Sequence, residues 1–151
     1  VPHGIVVSDD GLVWVADREN DRIQRFDANG EFVDEWTDLA RPEDIYIDSE
    51  GAVVVAELGY HAGIWPGSTP PSPDATGGRV SIFDFEGELL SRWGGGRDPC
   101  APGDFFAPHD VWIDSRGDLY VSEVHWSAGG KRGLVPRDCH SVQKFIRKED
   151  R

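Results

Sequence analysis

Two histidines stand at matching places in a repeated pattern, and what surrounds them could hold a metal ion. Pro2-His3-Gly4 and Pro108-His109-Asp110 each open an apolar run, and Pro42-Glu43-Asp44 opens another at the equivalent place. Two imidazoles and one carboxylate form a donor set that Zn²⁺ accepts, with Ca²⁺ ranking behind it. A metal held there could polarise a carbonyl or lower the pKa of a bound hydroxyl. The plain reading of either histidine is a hydrogen-bonded turn residue; the coincidence of two at matching positions sets the metal reading beside it. A second matching position, at the end of the next apolar run, carries Asp17, Glu57 and Glu123. Arg18 follows the first of these, placed either to grip a substrate carboxylate through two hydrogen bonds or to pair with Asp17 or Glu19 in its own turn.

The elements that must position these residues are short. Val1 to Trp36 contains four apolar runs, Ile5 to Val7, Leu12 to Ala16, Arg22 to Phe26 and Glu31 to Trp36, separated by polar turns. The pattern returns from Pro42 and again from Pro108, so the chain is a repeat array of one supersecondary unit. Runs this short, joined by turns ending in Gly11, Gly30, Gly51, Gly87 and Gly117, predict antiparallel strands, with glycine supplying φ > 0 in the hairpins. The fold class is therefore all-β, built of β-propeller blades, with a β-sandwich as runner-up.

The blades are expected at 1–39, at 40–106 with an insertion over 58–78, and at 107–151 with an insertion over 124–140. Each is expected to be a four-stranded antiparallel unit, although the third ends at Phe145-Ile146-Arg147-Lys148 with no visible fourth run. In a four-stranded meander the connection after strand two and the connection to the next blade leave at the same end. Both insertions, the linker Gly94 to Ala107 and the opening residues should therefore share one face. That face gathers His3, Glu43, His109, Asp17, Tyr60 and His61 as candidates, and loops of this length are more often functional than incidental. Trp36 and Trp93 are expected between neighbouring blades as core.

Composition narrows the partners. The 151 residues carry a formal charge of −13, which argues against a phosphate backbone as ligand. No apolar run is long enough to cross a bilayer, and no signal-peptide pattern stands at the start. The repeat is already under way at Val1, so further chain upstream is expected. Cys100 and Cys139 fit no metal-binding pair by spacing and are either bridged or two free thiols. Because their segments leave the blades at the same end, a disulfide between them is the expectation.

The runs Pro2-His3-Gly4, Val15 to Phe26 and Pro108-His109-Asp110-Val111 resemble the NHL-repeat β-propellers, and within them the peptidyl-α-hydroxyglycine α-amidating lyase group. The resemblance implies a six-bladed ring whose channel zinc is held by three histidines from alternate blades, with an active-site arginine and a tyrosine base. It implies cleavage of a carbinolamide into an amide and glyoxylate, in a secreted or periplasmic setting. His3 and His109 match the second and third zinc ligands, Arg18 the active-site arginine, and Asp110 the acidic residue after the third ligand. Neither Tyr60 nor His61 matches the family tyrosine in position, and Cys100 and Cys139 match none of the family's cysteine pairs.

Two functions follow as expectations. The first is an NHL-repeat binding or interaction module that takes a protein, peptide or small-molecule ligand on its loop-capped face, with no nucleic acid and no membrane. The alternative is a zinc-dependent lyase using His3, His109, Arg18 and Asp110. Three blades would be half of a six-bladed ring, so a homodimer that closes the ring is the expected assembly.

Overall fold

The computed structural model describes residues 1–63, 72 and 74–148. The first unit comprises β1 (Pro2–Val7), β2 (Val13–Asp17), β3 (Arg22–Phe26) and β4 (Phe32–Trp36). The second comprises β5 (Pro42–Ile47), β6 (Val53–Glu57), β7 (Arg79–Phe83) and β8 (Leu89–Gly94). The third comprises β9 (Pro108–Ile113), β10 (Leu119–Glu123) and β11 (Val142–Phe145). Each unit is one antiparallel sheet with its strands side by side in chain order. The expectation of three four-stranded units is corrected here: among the described residues the third sheet has three strands. After β11 the chain leaves the ladder, and the Arg147 main-chain N–H donates to Asp118 Oδ1 at 3.1 Å. Residues 64–71 and 73 of the expected first insertion, and 149–151 of the last unit, lie outside the described residues.

The turns close by one device. Asp27, Asp48, Asp84 and Asp114 each accept, on Oδ1, the main-chain N–H groups two and four residues on. That side chain satisfies donors which the tight turn would otherwise leave bare. Three residues after each aspartate comes Gly30, Gly51, Gly87 or Gly117, in the left-handed region that a side chain disfavours.

Period-two alternation then decides the packing. On β5, Ile45 and Ile47 face the first unit, where they join Trp14, Ile23, Val53 and Phe83. Tyr46, one residue between them, faces the third unit beside Val54, Val80, Val111 and Val121. Trp36 and Trp93 sit at these two junctions, packed on Phe83 and Phe145 with ring centroids 5.5 and 5.4 Å apart. Burying apolar side chains of this size contributes roughly 1.5–3 kcal/mol each, so the units are held to one another chiefly by these junctions. The innermost strands β1, β5 and β9 consequently run next to one another.

A separate apolar cluster ties the loops together. Leu58 and Ala62 after β6, Phe106 and Ala107 before β9, and Ala128 and Val135 in the 124–140 insertion pack as one group. The insertion carries one α-helical turn, α1 (His125–Ala128), and a 3-10 turn at Gly130–Arg132, both too short to leave a periodic trace in the sequence. Cys100 and Cys139 are bridged, with Cα atoms 5.2 Å apart, joining the linker to this insertion.

Candidate metal centre

Each innermost strand begins with a proline, which needs no ladder donor at a strand's first position. Pro2, Pro42 and Pro108 lie opposite Asp17, Glu57 and Glu123, and the register shifts just after each pair. The residues at those shifts are His3, Glu43 and His109. A bulge leaves an extra residue out of the ladder and re-aims its side chain, and here three successive strands turn an imidazole, a carboxylate and an imidazole toward one point. Potential ligand atoms of the three residues all lie within 4.8 Å of one another. The two imidazole rings meet edge to face with centroids 4.8 Å apart.

Hydrogen bonding orders this group. His3 Nδ1 lies 2.8 Å from Glu43 Oε2 and 3.0 Å from the Glu43 main-chain oxygen. Both neighbours are acceptors, so the proton belongs on Nδ1 and the lone pair on Nε2, the tautomer of a histidine ready to ligate. Glu43 is almost wholly buried, and Arg18 Nη1 donates to both of its carboxylate oxygens at 3.3 Å. Arg18 Nε donates to Glu19 at 2.8 Å. Arg18 therefore makes the turn contact expected with Glu19 and reaches the centre as well.

Over the centre lies a cavity of about 200 Å³, with Glu43 and His109 in its lining. Arg18, Arg41 and Arg132 bring three guanidiniums to it, and Leu58, Val124 and Ala128 supply an apolar wall. Arg41 stands immediately before a proline, where extended backbone is favoured, yet it adopts φ +56°. Bonds hold it there: its main-chain N–H donates to Asp21, and its guanidinium donates to Glu19 and to the carbonyls of Gly59 and Ala62. Its Nε, buried, has no partner among the described residues. Neither Arg41 nor Arg132 stood out in the sequence, because their place depends on how the loops fold over the face. The one local signal was Arg41-Pro42 at a repeat opening.

The other candidates have different roles. Asp17 lies outside the centre; it accepts hydrogen bonds from Asn20 at 2.8 Å and Arg22 at 2.9 Å. Its repeat mates hold main chain. Glu57 accepts from the Ala40 N–H, and Glu123 from the Phe106 and Ala107 N–H groups at 2.9 and 3.0 Å. An acid at the end of strand two thus clamps the chain just before strand one in the second and third units. Asp110, exposed, lies against Asp44 of the second unit, whose carboxyl is pushed up to about 6 by burial and by the bond with Asp110. Tyr60 is directed to Asp21, and burial together with that contact pushes its phenol up to about 12, too high for a base near neutral pH. His61 lines a separate cavity with Thr76, Arg97 and Phe105.

Comparison with known proteins agrees with this architecture. Residues 1–26 match the NHL repeat. The chain is 30% identical over 149 residues to peptidyl-glycine alpha-amidating monooxygenase B of Xenopus laevis, which covers 95% of this chain and 15% of that protein. Among solved structures, a protein of unknown function from Bacteroides caccae superposes with a TM-score of 0.68 at 13% identity, over 94% of this chain and 44% of that one. Virginiamycin B lyase from Staphylococcus aureus superposes at 0.57 and 18% identity, over 98% of this chain and 42% of that one. The chain thus spans about a sixth of its sequence relative and less than half of these structures. The chain carries an NHL repeat at its start, is built of propeller-like antiparallel sheets, and is similar to the amidating enzyme over nearly its whole length.

Proposed function

We propose that the loop-capped face is a zinc-dependent site of lyase type acting on a small carboxylate-bearing substrate, as the similarity to the amidating enzyme suggests. The observation that carries this reading is the meeting of His3, Glu43 and His109 from three bulged strands. Their donor set fits zinc, which in catalytic sites takes three protein ligands of this kind and keeps a further position open. When bound, such an ion supplies a Lewis acid able to polarise a carbonyl or acidify a hydroxyl.

The chain's own groups do the rest. Arg18 holds Glu43 in place and neutralises part of the charge that burial concentrates on it. Arg41 and Arg132 bring guanidinium charge to the cavity lining, which favours a carboxylate there. Leu58, Val124 and Ala128 exclude water from one side, which strengthens those charged contacts. At about 200 Å³ the cavity suits the end of a peptide or a small acid, not a folded protein.

A second reading, a non-catalytic binding module, is favoured by one observation: Tyr60, a candidate of the loop-capped face that does not match the family tyrosine, is bonded to Asp21 and held protonated. Two measurements separate the readings. Zinc titration calorimetry should show His3→Ala and His109→Ala each weakening affinity by at least about tenfold; identical isotherms for wild type and both variants would overturn the metal centre. Release of glyoxylate from a peptide ending in α-hydroxyglycine should require zinc and fall with Arg18→Ala. Tight zinc binding without turnover would leave the binding module as the function.

A further inference from the structure

The third of the repeated acids is paired differently from the other two. Asp17 and Glu57 lie opposite Arg22 and Arg79 on the third strands of their units, and each accepts from that guanidinium at 2.9 Å. In the third unit Ser141, just before β11, stands at that place, its main-chain oxygen accepting from the Glu123 N–H at 2.8 Å. The ion partner of Glu123 is instead His140, whose Nε2 lies 2.9 Å from Oε1. Arginine keeps its charge at any pH the protein meets, and imidazole does not.

The surroundings leave this contact to a proton. The Glu123 side chain is wholly buried, and burial pushes its carboxyl up. Its Oε2 accepts from the Phe106 and Ala107 N–H groups, while Oε1 has no main-chain donor. Around His140 Nε2 stand that carboxylate, the Asp104 main-chain oxygen at 3.3 Å and the Gln143 amide at 2.7 Å. Bonds to the Gly103 N–H and the Asp104 oxygen fix this amide. The Asp104 carboxylate is occupied by the Gly96 and Phe105 N–H groups, Cys139 is bridged, and His125 is turned to Ser141 and Arg137. A proton shared between Oε1 and Nε2 neutralises the buried carboxylate or pairs it with an imidazolium; without that proton a bare carboxylate is buried against a neutral ring.

We infer that this proton is a pH-sensitive latch on the loop-capped face. It joins the linker at Phe106 and Ala107 to the end of the 124–140 insertion, and those two residues pack in one cluster with Leu58, Ala128 and Val135. When the proton leaves, the buried charge draws water between linker and insertion, and the cavity wall at Leu58, Val124 and Ala128 loosens. Burial sets the sign. A carboxyl raised in the folded state contributes stability that is present below the ordinary value, about 4.3, and lost as pH rises through the folded value. The latch is therefore closed in acid and opens as pH rises, the opposite of the dependence that Arg22 gives Asp17. It does not depend on what the cavity binds.

Residue-resolved hydrogen exchange of the 151-residue chain tests the latch at about pH 5 and pH 8, the range across which an imidazole changes charge. After correction for intrinsic rates, the Phe106 and Ala107 amides held by Glu123 should lose protection by roughly tenfold on going to the higher pH. The Ala40 amide, held by Glu57 beside Arg79, should keep its own. His140→Arg, which gives the third unit a permanent cation, and Glu123→Gln, which keeps the carboxyl's shape without its charge, should each make protection equal at the two pH values. Either variant alone suffices if the other fails to fold. An equal change at both clamps in the wild-type chain would overturn the latch, as would a pH dependence that survives in the folded variant.

Discussion

Asp17, Glu57 and Glu123 show how a repeated acid can look catalytic and hold the fold instead. Each is buried; Glu57 and Glu123 accept from main-chain N–H groups that lead into their own units, and Asp17 accepts from the side chains of Asn20 and Arg22. Burial alone would raise the Asp17 pKa, but hydrogen bonds from Asn20 and Arg22 outweigh it, and the carboxyl is held below the ordinary value. A depressed carboxyl contributes stability that is present above the ordinary carboxylate range and lost as pH falls through the folded value. Asp17→Asn is therefore expected to destabilise the protein at neutral pH by about 1–3 kcal/mol, the cost of a broken buried hydrogen-bond set. That difference from wild type should shrink below about pH 4; urea unfolding at both pH values checks it, and a pH-independent difference would contradict the role of those bonds. His3, Glu43 and His109 could be picked out in advance because a repeat sets equivalent residues side by side. Arg41 could not, since its guanidinium is placed by the carbonyls of Gly59 and Ala62, groups that every residue possesses.

At the scale of elements, the strands were legible because two signals agreed, the alternation of apolar residues and the Asp-x-x-Gly turns that end it. The bulges at the strand openings were not, because a one-residue register shift leaves no mark on composition; they nonetheless turn the three candidate ligands inward. Among the described residues the third sheet stops at β11, and Arg147 and Lys148, which follow Ile146, are charged. Loop placement followed from strand parity, which brought the linker and the last insertion to one end, and the Cys100–Cys139 bridge now ties them across 39 residues. Closing a loop of that length in the unfolded chain should contribute about 2–4 kcal/mol. The double variant Cys100→Ser, Cys139→Ser is expected to lose that much in denaturant unfolding. It should also weaken zinc-dependent ligand binding, because α1 and Arg132 in the bridged insertion line the cavity; unchanged stability would show that the loop cluster of Leu58, Phe106 and Val135 holds the face unaided.

For the whole molecule, the three units pack on one another through apolar junctions, and the candidate ligands come one from each. Metal binding and array integrity should therefore be coupled: an ion that gathers side chains from three sheets binds the folded array and not the unfolded chain, and so stabilises it. The excess acidic charge, −13, adds a general attraction for cations but gives no reason for an ion to choose this point over any other acidic surface. Only the imidazole pair does that. The most direct test is anomalous diffraction at the zinc edge from crystals of the zinc-treated chain. The account expects a single strong peak bounded by the imidazoles of His3 and His109 and the carboxylate of Glu43, lost in His109→Ala; zinc found elsewhere on the acidic surface, with none between these three residues, would contradict it.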